Sequence, residues 1–541
     1  MTGGTDAVTA GGVTVTSAGA DLLAARDAAL SDLAGVAAAL VAKDATLWGP
    51  DAAPEAATRL GWLDCVTVSR PLVAEIETLR DELRADGVDH VVLAGMGGSS
   101  LAPEVIAATY GVELTTLDTT DPGQIAAAMS DRLSATVVVV SSKSGGTIET
   151  DSHRRAYTEA FQAAGLDPAS RIVVVTDPDS PLHKTATDAG HRVFLADPNI
   201  GGRYSALSAF GLVPTGLAGV PIGELLDQAD ALMGSLAGDS DNPALALGAA
   251  LGGYGTTGHD KVVIADAGSG IVGFGDWAEQ LIAESTGKDS KGLLPVVVGT
   301  PTSPGFVERA DTHLVPLGGD PTPIGTSVDG PLGAQFLLWE FATAVVGKVI
   351  GIDPFNQPNV QESKDNTRSV LDKAGDGALP EGDPLLVDGS IEVHGDADLF
   401  GGALDVAGVL DAILTAVPDH GYLAVMAYLN RIADSAVATL RDALAQRTPH
   451  QVTFGWGPRF LHSTGQFHKG GPPVGAFLQI TGANAFDIEV PGQPFSFGRL
   501  QLAQALGDLQ ALDSRSRSVV RLHLTDRAAG IDQLLSAVAG G

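Results

Sequence analysis

The feature of this sequence that most constrains its fold is a regular alternation between short apolar runs and helical segments. Between residues 90 and 197, five apolar runs of strand length alternate with stretches of helical character. Strands buried on both faces appear as continuous apolar runs, and the intervening helices cover the faces of a parallel sheet. The predicted strands are HVVLAG (90–95), LTTLDT (114–119), ATVVVVSS (135–142), RIVVVTD (171–177) and HRVFLAD (191–197).

A second unit with a similar pattern begins near residue 258. Its predicted strands are DKVVIAD (260–266), LLPVVVGT (293–300) and THLVPL (312–317), and its predicted helices cover 276–286 and 303–311. A longer apolar stretch at about 331–350 is interrupted by Glu340 and Lys348. It is therefore predicted to be a buried core helix rather than a membrane span.

The two units together predict an α/β protein with two αβα sandwiches, each built on a parallel sheet, and a cleft between them. In such sheets, ligands bind beyond the carboxyl ends of the strands. The predicted divisions are an N-terminal helical segment (1–60), a first domain (61–225), a second domain (226–375) and a C-terminal α+β region (376–541). In the last of these, strands are predicted at 421–429 and 475–480, with an amphipathic helix at 431–446 between them.

The charge of the chain limits its partners. A formal net charge of −33 argues against nucleic acid, because binding to a phosphate backbone needs positive patches. It argues only weakly against a small anionic substrate, since a local pocket can oppose the global field. We find no signal-peptide pattern at the N-terminus and no uninterrupted apolar stretch suited to a membrane. The expected location is the cytoplasm.

Cysteine and histidine usage gives no sign of a disulfide or a metal site. One cysteine, Cys65, cannot form an internal disulfide or a thiolate metal cluster. The 12 histidines include no HExxH pair, and His462 and His468 are spaced by six positions, which suits no common metal-binding face. We therefore expect neither a metal nor another cofactor.

Two turns rich in glycine and hydroxyl groups follow strands of the first unit and open the next helices. GMGGSS (95–100) lets a ligand approach the backbone at a helix N-terminus, which attracts anions. SSKSGGTIET (141–150) gathers hydroxyls, backbone N–H groups and Lys143, which suit a phosphomonoester dianion. Each turn alone is also consistent with a purely structural role, such as an ordinary helix cap. The presence of both in one sheet favours phosphate binding.

EQLIAESTGK (279–288) suggests a general base. Gln280 and Glu284 are four residues apart and share a face of the predicted helix. Gly287 is predicted to end this helix, which places Glu284 in the last turn. The negative end of the helix dipole there favours proton uptake by a carboxylate, as a general base requires. A solvated surface glutamate is the alternative interpretation.

Two further motifs are ambiguous when taken alone. Arg203, in NIGGRYSALS (199–208), could stabilise an oxyanion or pair with a surface carboxylate. Gln357 and Lys364, in DPFNQPNVQESK (353–364), flank a turn that leads into a predicted helix, where the lysine could act on a ring oxygen or remain solvated.

In this order, the five motifs resemble those of the glucose-6-phosphate isomerase family, whose members are built from two sugar-isomerase (SIS) domains. The resemblance covers about residues 90–370. It implies an aldose–ketose isomerase that interconverts glucose 6-phosphate and fructose 6-phosphate through a cis-enediol. It implies that Glu284 is the base that transfers the proton, that Arg203 is the cation facing the enediol oxygens and that Lys364 lies near the sugar ring. The expected substrate-binding residues are Ser99, Ser142, Lys143, Ser144, Glu149, Thr147, Thr150, Gln280 and Gln357.

The sequence departs from the family pattern at a residue expected to act on the sugar ring. The resemblance implies a histidine that opens this ring and that Glu149 supports. The segment that usually carries it is not evident after residue 290, and His313 is the histidine in that region. The resemblance implies that this histidine reaches the site from a second subunit, so a homodimer is expected. The C-terminal region resembles the tail of isomerase domains fused to transaldolase, and His468 or Lys469 is a further candidate there.

Two alternative functions remain open from the sequence. One is a dual isomerase that also accepts mannose 6-phosphate, because the pocket around carbon 2 decides that specificity. The other is a sugar-phosphate-sensing SIS protein without catalysis. The presence of both Glu284 and Lys364 speaks against the second alternative.

Overall fold

The computed structural model describes residues 4–540 except 322 and 376. The ends of the predicted segments that fall on positions 1, 376 and 541 therefore lie outside the described residues. The strands are β1 (Thr5–Ala10), β2 (Val13–Ala18), β3 (His90–Gly95), β4 (Thr115–Leu117), β5 (Thr136–Ser141), β6 (Ile172–Thr176), β7 (Arg192–Leu195), β8 (Lys261–Asp266), β9 (Leu294–Val298), β10 (Thr312–Leu317), β11 (Gly325–Asp329), β12 (Leu386–Asp388), β13 (Ile391–Gly395), β14 (Tyr422–Tyr428), β15 (Gln451–Trp456), β16 (Gly475–Gly482) and β17 (Ser518–Leu524).

Helices connect and cover these strands. They are α1 (Ala20–Asp32), α2 (Val36–Val41), α3 (Ala53–Ala56), α4 (Cys65–Ser69), α5 (Leu72–Ala85), α6 (Leu101–Thr109), α7 (Pro122–Ser130), α8 (Ile148–Ala163), α9 (Pro181–Asp188), α10 (Ala209–Ala218), α11 (Ile222–Met233), α12 (Pro243–Thr256), α13 (Phe274–Thr286), α14 (Leu332–Ile350), α15 (Pro358–Ala374), α16 (Val406–Thr415), α17 (Leu440–Ala445), α18 (Gly465–Gly470), α19 (Phe497–Asp513) and α20 (Arg527–Gly540).

The first sheet contains the five strands predicted from the apolar runs, and all of its pairings are parallel. Its order is β4-β3-β5-β6-β7, so the first strand in sequence, β3, lies between the second and the third. The valine-rich strands β3 and β5 are buried along their whole length because helices cover both faces. The order of the strands changes direction at β3, so the carboxyl ends of β3 and β5 border the crevice where open α/β sheets bind ligands.

The second sheet is built partly from the N-terminus, which corrects the predicted helical segment. Its order is β1-β2-β11-β10-β8-β9, and the antiparallel hairpin β1–β2 adds to the edge strand β11. Gly11 and Gly12 form the turn with φ values of 57° and 79°, a conformation that glycine adopts without strain. Alternating β-branched residues in β2 point every second side chain into the core, so this stretch pairs as a strand. Helical structure begins only at Ala20.

Two other predictions for the second unit had different outcomes. The helix predicted over 303–311 is wrong, because this proline- and glycine-containing segment forms turns that lead into β10. The predicted core helix is confirmed as α14, whose neighbours α12 and α11 pack closely against it. Among the described helices, α14 alone is long and apolar enough to cross a membrane, and 83% of its apolar window is buried inside the fold.

The C-terminal region forms a third sheet with its own hydrophobic core. Its order is β12-β13-β17-β16-β14-β15, with parallel pairing from β17 to β15 and antiparallel pairing at the β12 edge. The strands predicted at 421–429 and 475–480 are confirmed as β14 and β16. The predicted helix at 431–446 is confirmed in part, because residues 431–434 form a turn and a 3₁₀ helix at Ser435–Thr439 leads directly into α17.

Candidate active site

The candidate site lies at the carboxyl ends of β3 and β5, where three parts of the chain meet. A Cβ on Gly98 would lie 1.9 Å from the carbonyl oxygen of Gly202, so the GMGGSS and GGRYS turns touch only because residue 98 is glycine. Gly97, with φ +55°, lies against the Gln280 side chain and the His462 backbone. The two glycines therefore let the first unit, α13 and the C-terminal region converge.

Arg203 is held rigidly beside Glu284. Its Nε donates to Ser285 Oγ at 2.8 Å, and one terminal nitrogen donates to Gln357 Oε1 at 2.8 Å. The other terminal nitrogen donates to the carbonyl of Pro354 at 2.7 Å. The same nitrogen that contacts Gln357 lies 3.6 Å from a carboxylate oxygen of Glu284, and both side chains are almost buried. A fixed guanidinium thus faces the carboxylate that the motif analysis selected as the base.

Gln280 connects Glu284 to the C-terminal region. Its Nε2 donates to Glu284 Oε2 at 3.1 Å and to the backbone oxygen of His462 at 2.8 Å. The four-residue spacing on α13 brings Gln280 and Glu284 to one face, as predicted. Glu284 is consequently separated by one side chain from the segment that carries His462.

His462 forms a hydrogen bond with Glu149. The ring Nε2 lies 3.0 Å from Glu149 Oε1, and since an ionised carboxylate only accepts, Nε2 carries the proton and donates. Burial favours protonation of Glu149, but the His462 ring and the Lys364 ammonium outweigh it and lower the pKa of Glu149 to about 2. Glu149 lies in the first turn of α8, where the helix dipole also stabilises an anion. The histidine therefore has a permanent anionic partner.

A cavity of about 290 Å³ opens beside this pair. Its size is close to the lower end of the range of about 300–1,000 Å³ that is usual for ligand pockets. Lys364 and Arg368, on α15, give one wall positive charge, while Ser144 and Gly146 come from the predicted phosphate turn. The residues that line it are Ser144, Gly146, Ile148, Glu149, Val360, Gln361, Ser363, Lys364, Thr367, Arg368, Leu461, His462 and Gln504.

The hydroxyl-rich turn is preorganised at the N-terminus of α8. Ser142 Oγ donates to Thr147 Oγ1 at 3.2 Å and accepts from the backbone N–H of Gly145 at 3.2 Å. The backbone N–H of Gly146 donates to Ser144 Oγ at 3.3 Å. Within the described part of the chain, the buried hydroxyl of Thr150 has no hydrogen-bond partner. The turn therefore holds hydroxyl and backbone N–H groups at one helix end.

Three other predicted site residues lie around this centre. Lys143 is engaged elsewhere, because its ammonium forms an ion pair with Asp177 at 2.6 Å and donates to the carbonyl of Pro198. Ser99 lies in a partly exposed turn after β3. Gln357 directly precedes α15 and accepts the hydrogen bond from Arg203, whereas Lys364 lies on α15 and lines the cavity.

His313 does not belong to this site, which corrects the prediction. It lies in β10 within the second sheet, where its Nε2 is 2.9 Å from Thr326 Oγ1 and its ring contacts Tyr254. Burial, aided by His259, lowers the pKa of His313 to about 3, so its ring is neutral at physiological pH. It is therefore a structural histidine of the sheet core.

The C-terminal segment RFLHSTGQFHKGG supplies a histidine, but a different one from those selected. Burial lowers the pKa of His468 to about 3, and its Nδ1 lies 2.9 Å from the hydroxyl of Tyr422. Lys469 is committed to a fully buried ion pair with Asp508 at 2.6 Å. His462 precedes them in the same segment and was missed from the sequence. In the fold it lies next to GMGGSS and reaches Glu149.

The architecture defines the class of protein. Two αβα sandwiches form a double SIS-type fold, as predicted, with the polar site at the strand ends of the first. The first sheet is parallel throughout, and the second is parallel apart from the β1–β2 hairpin at its edge. A hypothetical protein from Thermus thermophilus matches with a TM-score of 0.57 and 22% identity, over 68% of this chain and 100% of that one. A glucose-6-phosphate isomerase from Chlamydia trachomatis matches with a TM-score of 0.54 and 18% identity, over 68% of this chain and 90% of that one.

The sequence comparisons give related proteins for part of the chain. Residues 79–237 match the family model described as phosphoglucose isomerase. A probable glucose-6-phosphate isomerase of Haloquadratum walsbyi is 33% identical over 236 residues, 42% of this chain and 54% of that protein. A glucose-6-phosphate isomerase of Cyanothece sp. is 37% identical over 213 residues, 37% of this chain and 40% of that protein. Residues 79–237 are thus similar to phosphoglucose isomerases, and the chain spans about half or less of the length of these curated relatives.

Proposed function

We propose that this protein is an aldose–ketose isomerase that interconverts glucose 6-phosphate and fructose 6-phosphate through a cis-enediol. The observation that carries the proposal is the placement of Glu284 beside Arg203, at 3.6 Å, with Gln280 linking it to the His462 segment. The similarity of residues 79–237 to phosphoglucose isomerases supports the choice of substrate.

The first step of the proposed reaction opens the sugar ring. A proton leaves the hydroxyl on carbon 1 and a proton is added to the ring oxygen, while the bond between carbon 1 and the ring oxygen breaks. His462 exchanges these protons through Nδ1, because its Nε2–H is engaged by the Glu149 carboxylate. An anionic partner stabilises the imidazolium that forms in transit and fixes the ring orientation.

The second step moves the proton between carbons 2 and 1. Glu284 takes the proton from carbon 2 of the open aldose, which gives a cis-enediolate with its charge on the oxygen of carbon 1. The hydroxyl proton on the oxygen of carbon 2 passes to the oxygen of carbon 1, and Glu284 returns its proton to carbon 1, which gives the ketose. Negative charge develops on the oxygens of carbons 1 and 2, and the rigid guanidinium of Arg203 stabilises it. Since Arg203 is already bound by Ser285, Gln357 and Pro354, it needs no reorganisation during the reaction.

The phosphate is proposed to anchor the sugar at the turn formed by residues 141–150. The N-terminus of α8, its hydroxyls and the nearby Lys364 and Arg368 provide the positive and donor groups that a dianion requires. Binding of this remote group orients carbons 1 and 2 against Glu284. A homodimer remains an expectation of the family resemblance, but each group named in these steps comes from one chain.

Glu284→Gln tests this proposal. Opening and reclosing of the ring interconverts the two anomers without any proton transfer between carbons, so exchange NMR on glucose 6-phosphate can follow ring opening and isomerisation separately. We expect isomerisation to fall about 10²- to 10⁴-fold, the usual contribution of a general base, while anomer interconversion continues. Isomerisation at the wild-type rate would overturn the assignment of Glu284.

Glu279→Gln is the matched control, because Glu279 lies on the same helix but lines a different cavity. Burial, followed by the charge of Asp276, raises the pKa of Glu279 well above its ordinary value. Burial therefore favours the uncharged form of this side chain, which glutamine matches in size and lack of charge, and the replacement should leave isomerisation unchanged. The same assay with mannose 6-phosphate decides whether the enzyme has dual specificity, and substrate binding without turnover would indicate a sensor.

A further inference from the structure

Glu149 has a second partner besides His462, and it comes from the C-terminal region. Gln504 Nε2 donates to Glu149 Oε1 at 2.7 Å, the same oxygen that accepts from His462. Both Glu149 and Gln504 are at least nine-tenths buried, with 3% and 2% of their surfaces exposed. This oxygen is therefore held by two donors that approach it from the same part of the chain, more than 300 positions away in sequence.

The orientation of the Gln504 amide is fixed by Thr120. The fully buried Thr120 hydroxyl donates to Gln504 Oε1 at 2.8 Å, so the amide oxygen faces Thr120 and the NH₂ group faces Glu149. The reverse orientation would place the amide oxygen against a carboxylate oxygen, and neither of these atoms can donate. Thr120 and Gln504 thus form a directional chain of hydrogen bonds that ends at Glu149 Oε1, which also accepts from His462.

Gln504 belongs to α19, which the C-terminal region holds firmly in place. Four positions later on the same helix, Asp508 forms the buried ion pair with Lys469. Gly507 packs against Thr367 of α15, and a Cβ there would come within 2.8 Å of the Thr367 backbone. The helix that carries Gln504 is thereby locked between the third sheet and the cavity wall.

We propose that Gln504 is a positioning residue for ring opening, which keeps the Glu149 carboxylate aligned to accept the Nε2–H of His462. This inference rests on the proposed function. Both amide groups of Gln504 are engaged by protein, so it acts through Glu149 rather than on the sugar. Two fixed donors keep the Glu149 carboxylate ionised and fix its orientation. This carboxylate then selects the His462 tautomer that leaves Nδ1 free for proton exchange.

Gln504→Leu tests the inference, because leucine has a similar size but no hydrogen-bond donor. Hydrogen bonds to charged groups are strong enough that the rate of anomer interconversion should fall about 10- to 100-fold, with KM nearly unchanged. Loss of a donor to the anion should also raise the pKa of Glu149, so the acid limb of the pH profile should move to higher pH. A merely structural role would not shift this limb.

Gln501→Leu is the matched control, because Gln501 is a buried glutamine one turn earlier on the same helix. It should leave both the rate and the acid limb unchanged. If Gln504→Leu behaves like Gln501→Leu, or lowers the rate without moving the acid limb, the inference is overturned. If His462→Asn retains full anomer interconversion, the ring-opening step of the proposed function fails instead, so the two failures are distinguishable.

Discussion

The proton-transfer half and the ring-opening half of the candidate site are assembled differently. The proton-transfer half joins the first and second units through a hydrogen bond between Arg203 and Ser285, which are 82 positions apart. In the second half, Glu149 of the first domain meets His462 and Gln504, which are 313 and 355 positions away. The first half is a contact between two SIS-type units, whereas the second half requires the C-terminal region.

This difference suggests that the C-terminal region does more than stabilise the fold. It supplies the histidine, the glutamine that holds the histidine's partner, and part of the cavity wall. Arg459 of this region also forms a buried ion pair with Asp118 at 2.7 Å, which ties it to the first domain. In the proposed mechanism, the two halves carry out separate chemical steps, so variants should separate those steps.

His462→Asn should give the largest effect on the ring-opening half. Without the imidazole, general acid–base catalysis of ring opening is lost, and we expect anomer interconversion and isomerisation to fall together by about 100-fold or more. Exchange NMR on glucose 6-phosphate measures both rates. Glu284→Gln should differ by sparing anomer interconversion, and equal effects of the two variants on both rates would contradict the division into halves.

A mixture of Glu284→Gln and His462→Asn chains tests whether both halves belong to one chain. If they do, chains carrying the two different tags, co-expressed and purified together, should regain no isomerisation. If His462 instead served a neighbouring subunit, each mixed two-fold dimer isolated through both tags would have one intact site of its two and about half of the wild-type rate. Wild-type chains carrying the same two tags provide the control for assembly.

Most of the first half could be predicted from the sequence because its information is local. The spacing of Gln280 and Glu284 fixes their common helical face, and the apolar runs fix the strands whose ends carry the glycine-rich turns. The hairpin at 5–18 was also signalled locally, by two glycines between alternating β-branched residues, but the surrounding alanine-rich composition favoured a helix.

In the second half, Glu149 was predicted, but His462 and Gln504 could not be, because packing and not local pattern selects them. RFLHSTGQFHKGG offers His462, His468 and Lys469 within eight residues, and nothing in their spacing ranks them. The fold decides by burying His468 against Tyr422 and pairing Lys469 with Asp508, which leaves His462 to reach Glu149. Gln504 carries no motif at all, since a glutamine on a helix gains a role only from what lies opposite it.

His313→Gln should have the smallest effect on turnover, and it tests the contrast between a buried structural histidine and His462. Burial lowers the pKa of His313 to about 3 from an ordinary 6.5. As the pH falls between these values, the unfolded chain takes up a proton at this residue that the folded chain does not, so stability decreases. Removing the histidine should flatten this dependence by about 1.4 kcal/mol per pH unit between pH 6 and pH 4, measured by urea unfolding. Loss of turnover with an unchanged pH dependence would place His313, and not His462, in the ring-opening role.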